Sequence, residues 1–528
     1  MQKENDARQQ RDDLSERQEK LSVARRLLLE KRLRGQLKNK EWTIPRREQS
    51  GPAPLSYAQQ RLWFLSQLMP DSPFYNVPII TRLRGSLHIA LLQQAVDQIV
   101  KRHETLRTTF ALLEQQPVQV IHPPGTTRLP VVDLCHLPAT CRQATAQQLV
   151  TQEVKTPFNL TQGPLLRPLL LRLDGDEHIL VLNMHHIITD AWSVRVFIDE
   201  LRTLYAAFLD NHLSPLPELP IQYADFASWQ QQWLQGERLD KQLDYWRRKL
   251  SGASFILDLP TDYPRPVAQS FRGAAIPFEM PVELSQALKN LSRQTGNNLF
   301  NTLLALFNLL LSRYTNQSDI LVGIPIAGRH RSEVKGLIGF FVNTLVIRTQ
   351  LSRHLNVQEL LAQIRETTLE AYSNQDLPLE LLVKDLLPER DPGRNPLFQV
   401  MFDFDEAVEE AATSDDNGLD LDKTAYLTET DLDLETDSGT AKFDLSLAMF
   451  DTGQTLRGEI EYSTELFTAA TIQNLASHLQ QLATEIVSNP QQPLWALSVL
   501  TTTESDQIVY AWNETTRPYA SSLCIHQL

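Results

Sequence analysis

The sequence predicts a mixed α/β protein, of the α+β kind, with more than one compact unit. A chain of 528 residues exceeds the usual size of a single hydrophobic core. Residues 178–183 are rich in leucine and β-branched residues and predict a buried strand. Apolar residues then recur at spacings of three and four from Val194 to Phe208, which predicts an amphipathic helix. A further helix at 299–314 and strand at 320–326 predict a second lobe.

Composition and charge restrict the class of protein. The hydrophobic content of 42% and charged content of 22% are typical of soluble globular chains. No run of eighteen apolar residues and no signal-peptide core is present, which predicts a cytoplasmic protein without a membrane partner. A formal net charge of −14 argues against nucleic acid as a partner. The three cysteines, Cys135, Cys141 and Cys524, form neither a disulfide framework nor a zinc pattern.

Four segments are expected along the chain. Residues 1–52 comprise a linker and a basic amphipathic helix at 21–35, which is either a solvated helix packed on the body or a docking element for another subunit. The first lobe is expected at 53–220, ending in a proline-rich crossover, and the second at 221–500. Within the second lobe, the acidic run 405–437 predicts a solvated loop. Residues 501–528 form a terminal linker.

The most informative stretch is 184–193, with the sequence MHHIITDAWS. It joins the predicted strand to the predicted helix, so its two histidines and Asp190 lie on a short connection where side chains can converge. Isolated histidines at such places are usually structural. The Asp190 carboxylate could hold an imidazole or pair with a distant arginine. No further cysteine, histidine or carboxylate follows at ligand-like spacing, so no metal site is expected.

This stretch resembles the HHxxxDG motif of the condensation domains of nonribosomal peptide synthetases, which belong to the chloramphenicol acetyltransferase-like superfamily. The family's glycine is replaced by Ala191. An alanine is tolerated there if the residue has helical angles, and it could narrow the acceptor side of the site. Six further segments are similar to the other signatures of the family in order: SYAQQRLWFL at 56–65, RHETLRTTF at 102–110, YADFASW at 223–229, IGFFVNT at 338–344, NQDLPLE at 374–380 and RDPGRNPL at 390–397.

The resemblance implies a fold and a reaction. The fold is two chloramphenicol acetyltransferase-like lobes in a V-shaped pseudo-dimer, each lobe a sheet flanked by helices. The reaction forms an amide bond between a carrier-bound acyl or peptidyl thioester donor and a carrier-bound aminoacyl acceptor. No cofactor is expected to be bound, because both substrates arrive on phosphopantetheine arms of carrier domains. The implied partners are an upstream donor carrier on another polypeptide, a downstream acceptor carrier and an adenylation domain, whose opening residues 501–528 resemble.

The resemblance also implies roles for individual residues. His186 is the candidate catalytic residue, either as a general base or as a group that orients the amine, while His185 shapes the loop. Asp190 is expected in a salt bridge with Arg329, with Arg61 as the alternative partner. Four residues are expected to line the tunnel or the acceptor side: Ala191, Trp192, Ser193 and Asn343.

Other functions of the same fold stay open at this point. An epimerisation domain shares the histidine pair, although IGFFVNT at 338–344 favours condensation. A catalytically weak or non-catalytic platform that binds carriers or recruits a tailoring enzyme would be marked by loss of the histidines, and both are present. A free-standing acyltransferase that uses coenzyme A is disfavoured by the adenylation-like tail. Residues 72–76 suggest a domain that joins L-configured residues, whereas the donor and acceptor side chains have no signature in the sequence.

Overall fold

The computed structural model describes residues 43–48, 51–387, 391–406, 420–421 and 439–515. The chain divides into two compact units, Met1–Pro45 and Arg46–Leu528, and the second contains the whole of both expected lobes. The basic helix expected at 21–35, most of the acidic run 405–437 and Cys524 lie outside the described residues. Within the described part of the chain, no helix combines the length and apolarity that crossing a membrane requires.

Fourteen strands are described. They are β1 (Ala53–Pro54), β2 (Asn76–Arg84), β3 (Thr108–Leu113), β4 (Gln116–Ile121), β5 (Val131–Asp133), β6 (Leu166–Asp174), β7 (Glu177–His185), β8 (Gly273–Glu279), β9 (Asp319–Ile326), β10 (Asn343–Gln350), β11 (Val400–Glu406), β12 (Asp420–Leu421), β13 (Leu445–Asp451) and β14 (Leu456–Ser463).

Thirteen α-helices are described. They are α1 (Tyr57–Leu68), α2 (Ile89–Arg102), α3 (Ala139–Lys155), α4 (Ala191–Leu209), α5 (Tyr223–Trp233), α6 (Glu237–Leu250), α7 (Val282–Gln294), α8 (Leu299–Thr315), α9 (Ser332–Lys335), α10 (Val357–Ser373), α11 (Leu379–Leu386), α12 (Ala469–Ser488) and α13 (Thr502–Val509).

The first lobe is built on a five-stranded sheet in the order β12-β2-β7-β6-β5. Strand β7 lies at its centre and is buried along nearly its whole length, which explains the unbroken apolar run that follows His178. Helices α2 and α4 cover one face, where Ile99 and Phe197 share a core with Leu182. Helix α3 covers the other face, and its Val150 packs with the β7 residue Val181. The sheet therefore holds the carboxyl end of β7 rigidly between two layers of helices.

The second lobe is built on a six-stranded sheet in the order β10-β9-β11-β13-β14-β8. Strand β11 runs parallel to both β9 and β13, and the other pairs are antiparallel. Helix α8 is buried on nearly all sides, as its almost continuous apolar sequence requires, and begins at an Asn298 side chain that accepts from the Asn301 N–H. Two residues of this half of the chain also extend the first lobe's sheet, because β12 pairs with Arg84 and Leu83 of β2.

One expected helix is interrupted. The sequence predicts a single long helix that begins at Tyr223 and runs through Trp246 to Leu250, but the structure contains α5 and α6, separated after Trp233. Gly236 adopts a positive φ of 55° at the break, a conformation that a glycine reaches without steric cost. The apolar spacing continues across the interruption, so periodicity alone does not reveal it.

Candidate active site

The histidine-containing connection follows β7 directly. Strand β7 ends at His185, residues His186–Ile188 form one 3₁₀ turn, and helix α4 begins at Ala191. Asp190 is the N-cap of that helix, and its Oδ1 accepts a hydrogen bond of 2.7 Å from the Ser193 N–H. An aspartate suits this position because it satisfies an otherwise unbonded N–H of the first turn. The turn therefore has one fixed conformation.

Asp190 also joins the two lobes through an ion pair with Arg329. The Arg329 Nη2 lies 3.0 Å from the Asp190 Oδ1, and each side chain is only 1% exposed. The other carboxylate oxygen accepts from the Phe341 N–H at 2.9 Å. The Arg329 Nη1 donates to the carbonyl oxygens of Val334 and Leu337. Both buried charges are thus paired and hydrogen-bonded, which is the condition under which burial of ions is tolerated.

Ser193 belongs to this buried network and does not line a tunnel. Its hydroxyl accepts from the Arg329 Nη2 at 2.6 Å and from the Gly339 N–H at 3.0 Å. The side chain is completely buried, so the expectation that it faces the acceptor side is wrong. The physical reason is the N-cap geometry of Asp190, which turns the residue three positions later back toward the carboxylate. The sequence alone does not show which of the first residues of a helix has a buried side chain.

Ala191 and Trp192 lie on the outer side of the same turn. Ala191 is the exposed first residue of α4 and has helical backbone angles. Trp192 is 37% exposed, and its Nε1–H donates to the Lys335 carbonyl oxygen at 2.8 Å. Trp192 thus forms a second contact between the lobes. Neither residue is among those that line the cavity described below.

His185 is directed into the first lobe. Its side chain is buried, and its Nδ1 accepts a hydrogen bond of 3.0 Å from the Ile187 N–H. Burial, followed by the neighbouring His186, lowers the pKa of His185 from 6.5 to about 3. The ring is therefore neutral at neutral pH and serves to close the 3₁₀ turn.

His186 is half-buried and is held in one orientation. Its backbone N–H donates to the Tyr75 carbonyl oxygen at 2.8 Å, and its Nδ1 lies 2.7 Å from the Thr189 carbonyl oxygen. Because a carbonyl oxygen can only accept, the Nδ1 must carry the proton, and the Nε2 keeps its lone pair in the neutral ring. Burial and then the charge of Lys442 lower the pKa of His186 to about 4, opposed by the Thr189 carbonyl and Asp190. The residue is thus a neutral hydrogen-bond acceptor at neutral pH.

A cavity that is open to solvent lies near the histidine turn, and it spans about 670 Å³ when the open space at its mouth is included. Its wall includes Phe340, whose ring centroid lies 4.7 Å from that of His186. Other lining residues come from α1, α5 and the start of β10, among them Ala58, Trp229 and Asn343. Asn343 donates from its Nδ2 to the carbonyl oxygens of Gln375 and Leu377, so it lines the cavity and also braces its wall. His186 is not itself a lining residue, and its imidazole is linked to the cavity through its contact with Phe340.

Arg61, the alternative partner expected for Asp190, lies elsewhere. Its Nη1 is 3.8 Å from the Glu380 Oε1, and Glu380 lines the cavity. Burial raises the pKa of Glu380, and the Arg61 charge opposes that shift. The Asp190 carboxylate is occupied by Arg329 and by backbone N–H groups, which leaves no geometry in which Arg61 could replace Arg329.

A family model described as the condensation domain matches residues 49–509. The chain belongs to the condensation-domain family. This match and the relatives below confirm both the family expected from the seven signatures and the mixed α/β fold. The chain is thus a condensation domain of the nonribosomal peptide synthetase type. Domains of this family are acyltransferase-type enzymes that form amide bonds and act with phosphopantetheine-carrying partners.

The condensation domain is similar to parts of large synthetases. It is 46% identical over 475 residues to a linear gramicidin synthase protein of Brevibacillus parabrevis, and the match covers 90% of this chain and 9% of the synthase protein. It is 41% identical to phosphinothricin tripeptide synthetase PhsC of Streptomyces viridochromogenes, covering 93% and 45% of the two chains. The chain thus spans less than half the length of these two relatives.

A solved structure with a similar fold is the complex of the X-domain and OxyB from teicoplanin biosynthesis. The TM-score is 0.74 at 26% identity, and the match covers 87% of the condensation domain and 98% of the solved chain. The condensation domain from the monacolin K polyketide synthase MokA has a TM-score of 0.73 at 20% identity, with 84% and 100% of the two chains covered, which shows the fold alone.

Two residues that fix the site were not identified from the sequence. Gln59 of α1 donates from its Nε2 to the Ile187 carbonyl oxygen at 3.1 Å and so clamps the histidine turn. The Tyr223 hydroxyl donates to the Phe340 carbonyl oxygen at 2.6 Å and also lies 2.8 Å from the Ser56 Oγ. Both lie inside family signatures, and a buried amide or phenol within such a signature is the signal that could have indicated them.

The stability of the condensation domain is expected to fall as the pH is lowered from about 6.5 to about 4. The unfolded chain binds protons at His185 and His186 near their ordinary pKa of 6.5, while the folded chain does so only near about 3 and about 4. Acid therefore favours the unfolded state within this window, and the contribution is fully present above it. Urea denaturation at about pH 7 and about pH 5 measures the difference in the free energy of unfolding.

The control for this pH dependence is a variant that lacks one of the two imidazoles. His186→Ala should show a smaller loss of stability between the two pH values than wild type. An equal pH dependence in wild type and His186→Ala would contradict the assignment of a depressed pKa to His186.

The alanine that replaces the family's glycine is expected to be harmless. Since Ala191 has helical angles and an exposed side chain, Ala191→Gly should lower the free energy of unfolding by less than about 1 kcal/mol and leave the rate of condensation unchanged. Ala206→Gly, at an exposed interior position of the same helix, is the matched control and should cost about 0.5–1 kcal/mol. A large gain in rate for Ala191→Gly would show instead that the methyl group obstructs the acceptor.

Proposed function

We propose that this condensation domain forms a peptide bond between two carrier-bound thioesters. The donor is an acyl or peptidyl group delivered by an upstream carrier on another polypeptide, and the acceptor is an aminoacyl group delivered by a downstream carrier that an adenylation domain loads. The observation that carries the proposal is the single tautomer of His186, which keeps the Nε2 lone pair available next to the cavity wall at Phe340.

The chemistry requires positioning more than activation, because a thioester is already reactive. Holding the two arms end to end supplies effective concentration, which is worth up to about 7–11 kcal/mol in favourable intramolecular cases. The cavity lined by Trp229, Phe340 and Asn343 is open to solvent, and it is the route by which one arm would enter. The catalytic work left to the protein is to orient the amine and to handle its proton.

His186 performs that work as an acceptor and not as a strong base. With a pKa of about 4, its imidazole does not remove a proton from a free amine near neutral pH. It can accept a hydrogen bond from the neutral amine and align the nitrogen lone pair with the donor carbonyl carbon. Once the C–N bond forms, the attached nitrogen becomes far more acidic, and its proton can then move to the Nε2. The Asp190–Arg329 pair contributes indirectly, because it holds in place the turn that carries His186.

The test is direct condensation with defined substrates. The domain is incubated with an acyl-loaded donor carrier and an aminoacyl-loaded acceptor carrier, and intact-protein mass spectrometry follows the acceptor. The expected result is an increase in acceptor mass equal to the acyl group, together with release of the free donor thiol. Product formed at the same rate by His186→Ala would contradict the proposed role of the imidazole.

A second candidate is a carrier-binding or recruitment platform without strong catalysis. It is favoured by the similarity in fold to the teicoplanin X-domain, whose solved complex contains OxyB. The fixed, neutral His186 beside an open cavity supports catalysis instead. In the same assay, a platform would bind the loaded carriers and leave both masses unchanged across a panel of donors and acceptors.

A further inference from the structure

A lysine of the second lobe lies over Tyr75, the residue whose carbonyl oxygen binds the His186 N–H, and has no role in the mechanism above. Lys442 directly precedes the buried residue Phe443 and the start of β13. Its Nζ lies 5.7 Å from the ring centroid of Tyr75 and 6.0 Å from that of Phe74. Aromatic faces attract an ammonium through their quadrupole, so the two rings hold the charged group at this place.

The position of Lys442 is fixed from both lobes. Its backbone N–H donates to the Glu461 Oε1 on β14, and the N–H of the preceding Ala441 donates to the Phe271 carbonyl oxygen at 2.9 Å. The Phe271 ring packs on Phe74 with centroids 4.6 Å apart. Phe271 has a φ of 58°, which a bulky residue adopts only when its surroundings enforce it. The segment that presents the lysine is therefore rigid.

The Lys442 ammonium has the Glu461 carboxylate in its surroundings but not within ion-pair distance. No ion pair within 4.0 Å involves it among the residues that the structure describes, whereas several other half-buried lysines and arginines of the same lobe have such partners. Its side chain packs on Tyr75, whose carbonyl oxygen binds the His186 N–H, and its charge is near enough to disfavour protonation of the His186 ring. A half-buried ammonium whose charge acts on a neutral imidazole is suited to stabilising negative charge that develops near that imidazole.

We propose that Lys442 is a further catalytic residue, whose ammonium stabilises the negative charge that forms on the donor carbonyl oxygen during condensation. This inference rests on the proposed function. The amine nitrogen forms a bond to the thioester carbon, and the carbonyl π pair moves onto oxygen, where the Lys442 ammonium faces it. The pair then returns, the C–S bond breaks, and the donor sulfur leaves as a thiolate. The proton from the amine passes through His186 Nε2 to that sulfur, which yields a free thiol.

Other charged groups surround the pair and define the expected pH dependence. His186 is faced by His185, Asp190 and Lys442, and Lys442 is faced by Glu461 and Arg61. Burial lowers the pKa of Lys442, and the Arg61 charge acts in the same direction while Glu461 opposes it. Loss of the Lys442 cation would make protonation of His186 easier. Protonation of His186 sets the acid limb of the pH–rate profile, which is the range where the rate falls as the pH is lowered. Without the Lys442 cation, this acid limb would move from about pH 4 to a higher pH.

The experiment measures single-turnover condensation against pH for wild type, Lys442→Met and Lys442→Arg. Lys442→Met is expected to lower the rate by about 10²-fold, the usual effect of removing one oxyanion donor, and to shift the acid limb upward. Lys442→Arg keeps the positive charge. It should retain more than about a tenth of the wild-type rate, and its acid limb should lie at the same pH as that of wild type. Lys249→Met is the matched control, because Lys249 is a half-buried lysine of the same lobe that pairs with Glu370 away from the site, and it should behave as wild type.

Two results would overturn the inference. One is a folded Lys442→Met with the rate and acid limb of wild type. The other is a folded Lys442→Arg that has lost all turnover. This second result decides whether the inference holds if Lys442→Met shows no thermal unfolding transition and is therefore not folded. Failure of the proposed function is distinguishable from both, because in that case wild type itself would transfer no acyl group to any acceptor.

Discussion

Replacing His186 by alanine should lower the single-turnover rate of condensation by about 10²- to 10⁴-fold while the domain stays folded. The imidazole is half-buried and contributes one side-chain hydrogen bond, to the Thr189 carbonyl oxygen, so its loss should cost little stability. The ring's Nε2 has no substitute in the turn, because the His185 ring is buried and its Nδ1 accepts from Ile187. The rate is measured by acceptor mass, and the fold is measured by thermal unfolding and circular dichroism.

The matched control for this substitution is His330→Ala. His330 lines the cavity, and its side chain is 44% exposed and lies 3.4 Å from Asp376. Its removal should change the rate by less than about fivefold, since an exposed pair contributes at most about 1 kcal/mol. If both variants lost the same fraction of the condensation rate, the loss would come from a change in the cavity and not from the missing imidazole of His186.

Replacing Asp190 by alanine should lower the free energy of unfolding by about 3–5 kcal/mol, because Arg329 would remain as a buried charge without its carboxylate. The Ser193 and Phe341 N–H groups would lose their acceptor at the same time. Activity should fall together with stability, since the turn that carries His186 ends at this residue. Urea denaturation at neutral pH measures the change, and a distinctly lower midpoint is expected.

Asp385→Ala is the comparison for the buried pair. Asp385 also forms an ion pair with an arginine, Arg247, but that arginine is 47% exposed. Its removal should cost less than about 1 kcal/mol because water screens the exposed charge that is left. If Asp190→Ala were as mild as Asp385→Ala, the Asp190–Arg329 pair would not be the contact that holds the two lobes together at the site.

Local structure around the site was largely predictable. The leucine-rich and β-branched stretch 178–183 predicted a buried strand, and the three-and-four spacing after Asp190 predicted helix α4. A serine just before a helical stretch predicts an N-cap, and Ser56 is the N-cap of α1, where its side chain accepts from the Gln59 N–H. These features depend on neighbours within a few positions, which is the range that periodicity and capping rules cover. The break between α5 and α6 was missed because one glycine does not disturb that periodicity.

The sequence by itself determined the family, through seven ordered signatures, and the identity of the strand, turn and helix that carry His186. Only the tertiary structure decided between Arg329 and Arg61 as the partner of Asp190, and the observed pair spans 139 positions. It also decided that Ser193 turns inward and that Lys442 lies over Tyr75. The pKa of His186 was set in the same way, by burial and a distant cation. The physical reason is that desolvation and charge act through space, between residues that the fold of two lobes brings together, and neither leaves a pattern in the local sequence.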